Sequence, residues 1–164
     1  FKRCVVFHSL SKRSNAPGLR SGFVAGDHEI ISKFLLYRTY HGCAQPLPTQ
    51  RASLAAWRDE QHVIENRAIY RKKFIDTHTV LKDCLSFAIP DGGFYLWPRV
   101  GADDEAFARS LYAHTNITVL PGSYLSRDQF GINPGRGHVR IALVAPYDEC
   151  MEAAERIRDF IQSH

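Results

Sequence analysis

With 164 residues, 45% of them hydrophobic and 23% charged, the chain can hold one sizeable core or two small lobes and has the make-up of an ordinary globular protein. Its net charge of +4 and pI near 9.0 permit anionic ligands without demanding them, no apolar run is long enough to cross a bilayer, and no signal peptide is expected. Cys4, Cys43, Cys84 and Cys150 lie far apart and the eight histidines show no ligand spacing, so neither a disulfide framework nor a zinc site is expected and a reducing cytoplasm is the default location.

The chain reads as opening on a strand, Cys4-Val-Val-Phe7, and returning in a second, Gly22-Phe-Val-Ala-Gly26, both short and buried. Between them runs the polar, Gly/Pro-punctuated stretch from Ser9 to Gly22. It places Lys12 on a loop just past a strand end, where α/β folds put ligand sites. The stretch offers an amine at Lys12, hydroxyls at Ser9 and Ser11, and a guanidinium at Arg20. A lysine amine forms a Schiff base with a carbonyl, that of pyridoxal phosphate included. Hydroxyls and a planar guanidinium suit a phosphate. For an arbitrary lysine in such a loop, a solvated surface position is the commoner outcome. Ser9-x-x-Lys12 also has the spacing found in penicillin-binding proteins and class A β-lactamases. That motif needs a helix that Pro17 and Gly18 would cut short, and no Lys-Thr-Gly or Ser-Asp-Asn occurs.

Asp27 reads as a helix N-cap with Glu29 in the first turn. Ile30, Ile31, Phe34, Leu35 and Tyr37 supply an apolar face up to about Cys43, and Gln45-Pro-Leu-Pro48 breaks the helix. A helix from about Thr49 to Trp57 follows, with Leu54 and Trp57 on one face. Asp59 and Glu60 open a long helix to about Lys82, striped by Val63, Ile64, Ala68, Ile69, Ile75 and Leu81. Arg67, Arg71, Lys72 and Lys73 make it basic. One reading is a surface for nucleic acid or an acidic partner; the favoured one is a solvated face, since no aromatic stacking platform accompanies the charges.

Leu85-Ser-Phe-Ala-Ile89 then alternates as a strand, Pro90-Asp-Gly-Gly93 turns, and Phe94-Tyr-Leu-Trp97 is a second strand. Asp103 caps a helix carrying Phe107 and Leu111. Ile117-Thr-Val-Leu120 is a strand ended by Pro121, and His138 to Val144 is another. Pro146 and Asp148 start a last helix that buries Met151, Ala154, Ile157, Phe160 and Ile161. This order predicts a small α+β lobe with helices on one face of a sheet. Arg140 puts one charge inside an apolar strand, where it either faces solvent or aims its fork at a carboxylate.

Ser9-Leu-Ser-Lys12 followed by Gly18-Leu-Arg-Ser-Gly22 resembles the cofactor-lysine motif of the class I/II aminotransferases, the fold-type I pyridoxal-phosphate enzymes. Ser21 departs from that motif, which usually has an apolar residue there. Gly92-Gly-Phe-Tyr95 and Pro121-Gly-Ser123 are similar to a strand entry and a loop of the family, so the resemblance covers essentially the whole chain. Tyr95, Trp97 and Tyr124 read as core or rim residues. The run from Ser11 to Asp27 looks most like the bacterial succinyldiaminopimelate aminotransferases of lysine biosynthesis, whose amino donor is glutamate.

The resemblance implies an α/β fold and a C-terminal fragment of a fold-type I enzyme, in keeping with Phe1 in place of Met at the start. Residues 1–48 would end the large parallel-sheet domain, 49–82 would be linking helices, and 83–164 the small α+β domain. It implies that Lys12 carries pyridoxal phosphate and moves a proton on the substrate, that Ser9, Ser11 and Arg20 hold the phosphate, and that Arg140 binds the substrate α-carboxylate. It also implies amino-acid and 2-oxo-acid substrates, a cytoplasmic homodimer when full length, and no metal, nucleic acid or membrane partner. The fragment alone is expected to bind cofactor poorly and not to transaminate. The alternatives are another class I/II amino-acid aminotransferase, or a non-enzymatic module with a basic binding surface.

Overall fold

The computed structural model describes residues 2–42 and 44–163. Phe1 and Cys43, on which the expected start and the expected end of the first long helix rest, lie outside them. The chain divides into two compact units, Phe1–Asn66 and Arg67–His164.

The first unit opens with strands β1 (Val5–Ser9) and β2 (Gly22–Gly26), paired antiparallel from Val5↔Gly26 to Ser9↔Gly22. The strands approach closely at the open end of the connection: a Cβ on Gly22 would sit 2.6 Å from the carbonyl oxygen of His8. The connection holds a one-turn helix, α1 (Leu10–Arg13), and a 3-10 turn, Pro17–Leu19. Lys12 therefore lies in a helical turn, not in a loop: Ser9 caps it by accepting the Ser11 N–H at 3.3 Å, and fully buried Leu10 anchors it. The strands themselves are not buried as expected. Phe7 is 70% exposed, and Val6 and Phe23 are exposed too. A two-stranded hairpin has few faces to hide, and rings lie against it: Phe34 lies 6.3 Å from Phe7, and Trp57 lies 5.0 Å from Phe23 and 5.3 Å from His8.

Helix α2 (His28–Tyr40) starts where expected, the Asp27 carboxylate accepting from the N–H groups of Glu29 and Ile30 at 2.9 and 3.3 Å. Its apolar face is not a core face. Ile31 and Phe34 are half-buried, while Ile30, Leu35 and Tyr37 are exposed. The Pro46 and Pro48 pair opens helix α3 (Leu47–Arg58), since the first turn needs no N–H from proline. In α3 the buried residue is Ser53, whose hydroxyl donates to Thr49 O at 2.7 Å, and Leu54 is exposed. Asp59 accepts from the Gln61 N–H at 2.9 Å at the start of helix α4 (Gln61–Leu81).

In the second unit, α4 buries Lys73, Phe74, Thr77 and Leu81 and half-buries Tyr70, a run at helical spacing. Of the expected stripe, Val63 and Leu81 are buried, while Ile64, Ala68, Ile69 and Ile75 are exposed. Strands β3 (Tyr95–Leu96), β4 (Leu120–Pro121) and β5 (Val139–Ala142) form an antiparallel sheet in the order β3-β5-β4. The expected strand Leu85–Ile89 does not form; Ser86 makes a single bridge to Arg99. The end of α4 takes the backbone there, with the N–H groups of Cys84 and Leu85 both donating to Leu81 O at 3.0 and 2.8 Å. Strand β4 starts later than expected and includes Pro121, which its edge position tolerates. Helix α5 (Asp104–Thr115) is capped by Asp103, which accepts from Ala106 N–H at 2.8 Å. Helix α6 (Tyr147–Ser163) buries Cys150, Ala154, Ile157 and Phe160. Val139 and Ile141 of β5 join Leu111, Ile157, Phe74 and Leu81 in one core, with Arg140 between them on the strand's other side. The helices thus cover one face of the sheet, as the α+β reading expects.

Candidate functional site

The hairpin register brings the four expected cofactor residues of the first unit onto one connection. Ser9 is the last residue of β1, Ser11 and Lys12 lie in α1, and Arg20 follows the 3-10 turn just before β2. The Ser9 oxygen is occupied as an acceptor by the cap, which leaves its O–H to donate. Lys12 and Arg20 are exposed. Arg20 adopts a left-handed backbone, φ 48°, and its guanidinium donates to Pro17 O at 2.9 Å. Its own carbonyl accepts from Gln45 Nε2 at 2.8 Å, so a side chain ahead of α3 braces the strained residue. One amine, two hydroxyls and a guanidinium are the donor set that an aldehyde bearing a phosphate requires, and no carboxylate stands among them.

Sequence reasoning passed over the next three residues. Arg13 donates to Ala56 O at 2.8 Å and Asp59 O at 3.4 Å, pairs with Glu60, and lies 4.9 Å over the Trp57 ring. Ser14 Oγ lies 2.8 Å from His62 Nε2, and His62 Nδ1 lies 2.8 Å from Asp59 Oδ2. Asn15 Nδ2 donates to Asn66 Oδ1 at 3.0 Å. The His62 hydrogen bond, joined by the Gln61 N–H, holds the exposed Asp59 carboxyl below its ordinary value. The spacing Asp59-x-x-His62 at a helix start was the one signal available for this cluster.

Arg140, the expected substrate residue, belongs to the second unit. It is half-buried, with its guanidinium 5.7 Å from the Tyr95 ring centre. Its strand is tied down just upstream. Burial pushes the Asp104 carboxyl up, but N–H donors from Ser123 at 2.8 Å and Gly137 at 3.1 Å outweigh that and hold it below the ordinary value. Of the basic cluster on α4, Arg67, Arg71 and Lys72 are exposed, as the solvated-face reading expects, and Lys73 is not. Lys73 is buried and donates to Leu143 O and Ala145 O at 3.0 and 2.5 Å, and Lys72 pairs with Asp76 at 2.5 Å. Among the described residues no helix is long and apolar enough to cross a membrane.

The fold and the lysine turn define a class, and the comparisons agree with it. The family described as aminotransferase class I and II matches residues 2–157, and the chain belongs to that family, whose members use pyridoxal phosphate. The crystal structure of an aminotransferase from Neisseria meningitidis is 56% identical, with a TM-score of 0.90 over 94% of this chain and 40% of that one. A probable N-succinyldiaminopimelate aminotransferase from Thermus thermophilus is 33% identical, with a TM-score of 0.82 over 96% of this chain and 42% of that one. The LL-diaminopimelate aminotransferase of Aquifex aeolicus is 33% identical over 94% of this chain and 40% of its own length. The mixed α/β architecture thus matches part of a fold-type I aminotransferase. The chain spans 35% to 41% of the length of the first curated relatives it matches.

Proposed function

We propose that the polypeptide carrying this chain is a pyridoxal-phosphate aminotransferase that moves an amino group from glutamate to a 2-oxo acid, with succinyldiaminopimelate of lysine biosynthesis as its product. The observation that carries this reading is the single connection holding Ser9, Ser11, Lys12 and Arg20 between paired strands. The substrate choice rests on the run from Ser11 to Asp27 and on the likeness to the Thermus thermophilus protein.

In this reading Lys12 would hold the cofactor at its aldehyde, and Ser9, Ser11 and Arg20 would hold its phosphate through hydroxyl and guanidinium donors. The cofactor ring, when bound, supplies an electron sink. Lys12 would take the proton from the substrate α-carbon and later return one, as general base and then acid. Arg140 grips the substrate α-carboxylate and so sets the angle of the reacting C–H bond. Residues 1–48 belong to the large domain, 49–82 link, and 83–164 form the small domain. The working form is a cytoplasmic homodimer, and the present chain alone does not transaminate.

The test uses the full-length gene product, incubated with pyridoxal phosphate, reduced with borohydride, digested and mapped by mass spectrometry. A single pyridoxyl label on Lys12 is expected, with a donor–acceptor screen then returning glutamate as donor. Label spread over surface lysines such as Lys33 and Lys72 would remove Lys12 from the role. Turnover only with unsuccinylated diaminopimelate would move the substrate assignment within the family.

A further inference from the structure

Three consecutive residues follow Lys12, and each sends its side chain to one segment far along the chain. Arg13 reaches Ala56 and Glu60, Ser14 reaches His62, and Asn15 reaches Asn66. That segment is the end of α3 and the first turns of α4. A helix of one turn has no stability of its own, so what grips α1 from outside sets where Lys12 points. Ser14 is the C-cap of that turn, its N–H donating to Leu10 O at 3.1 Å.

Within this grip His62 is the directional link. An ionised carboxylate only accepts, so the 2.8 Å contact with Asp59 places a proton on His62 Nδ1. In the neutral imidazole Nε2 is then an acceptor, and the Ser14 hydroxyl donates to it at 2.8 Å. The Ser14 oxygen in turn accepts from the Arg13 guanidinium at 3.3 Å. With His62 neutral, the hydrogen bonds run one way, from Arg13 through Ser14 and His62 to Asp59. This order fixes the Ser14 side chain, and with it the end of the turn, in one arrangement.

We propose that His62, held by Asp59, is a positioning residue for Lys12: through Ser14 it fixes the turn so that the amine is presented in one orientation. The inference rests on the cofactor role of Lys12 proposed above. Arg13 and Asn15 can brace the fold without it. What His62 adds is an acceptor at the Nε2 position, so a substitute must accept there.

The experiment uses the full-length polypeptide in five forms: wild type, Ser14→Ala, His62→Ala, His62→Gln, and Ser14→Ala combined with His62→Ala. Each is mixed with pyridoxal phosphate and quenched with borohydride at timed intervals. The label on Lys12 is quantified, and the thermal midpoint of each cofactor-free form is recorded. Ser14→Ala and His62→Ala should each slow labelling about 5- to 10-fold, the span of one lost directional hydrogen bond. The double variant should be no slower than the slower single, because both changes cut the same link. His62→Gln, whose amide oxygen accepts at a similar reach, should return to within about 2-fold of wild type. Labelling at the wild-type rate in the two alanine variants overturns the proposal. So does a His62→Gln variant as slow as His62→Ala, since His62 would then act only as a brace. If wild type takes no label on Lys12, the proposed function fails and this inference falls with it. That outcome is read from the unsubstituted protein alone, so the two failures are distinct.

Discussion

The Asp104 carboxylate is 2% exposed, and burial alone would favour its neutral form. Backbone N–H groups of Ser123 and Gly137 reverse that, and the group titrates below its ordinary value. The unfolded chain releases this proton near pH 3.9, so the folded state gains its full contribution above that pH and loses it as pH falls through the lower folded value. Urea unfolding of the chain between about pH 5 and pH 2 should show stability falling with acid, and Asp104→Asn should flatten part of that slope while lowering stability at neutral pH. Lys73 poses the converse case, a cation inside the core. Its two acceptors, Leu143 O and Ala145 O, lie 70 and 72 positions further along the chain, where the α4 sequence gives no sign of them. The same distance in sequence hid the Ser14–His62 contact, at a separation of 48.

Among the elements, the β1–β2 hairpin holds a close approach at each end, Gly26 against the Cys4 carbonyl and Gly22 against that of His8. Any side chain at Gly22 would meet the His8 carbonyl, and relief requires parting the strands at the end that carries Lys12. Gly22→Ala should therefore cost about 1–3 kcal/mol in urea unfolding, as backbone shifts in a packed position do. Elements announced by local chemistry were legible in the sequence. Asp27 and Asp103 cap α2 and α5 as read, because a cap involves residues two or three positions apart. The strands flanking the Lys12 stretch were legible from short runs of Val and Phe, and the β5 strand from its apolar run around Arg140. Leu85–Ile89 alternates like a strand, yet the end of α4 claims the Leu85 N–H and Ser86 makes a single bridge to Arg99, since alternation states a preference and the partner decides. The stripe on α4 held at Val63 and Leu81 and failed from Ile64 to Ile75 for the same reason: a helix buries the face it is given a neighbour for.

At the scale of the whole chain the two units differ in what they bury. The second holds a continuous core from Phe74 to Phe160, whereas the first leaves Phe7, Leu35, Leu36 and Tyr40 exposed. Amide hydrogen exchange on this chain should find the slowest sites in β5 and α6 and fast exchange throughout β1 and β2. Uniform protection across both units would contradict the difference in burial. The hairpin also sets an order in time. Strands β1 and β2 join across residues 10–21 alone, a closure of microseconds, whereas β3 must find β5 across the span from Leu96 to Val139. A bare two-stranded hairpin does not last, so the lysine turn forms early, dissolves and re-forms until Ala56, Glu60 and His62 arrive to hold it. During synthesis this means that Lys12 leaves the ribosome well before the residues that fix it, and the turn becomes permanent only once the start of α4 has been made.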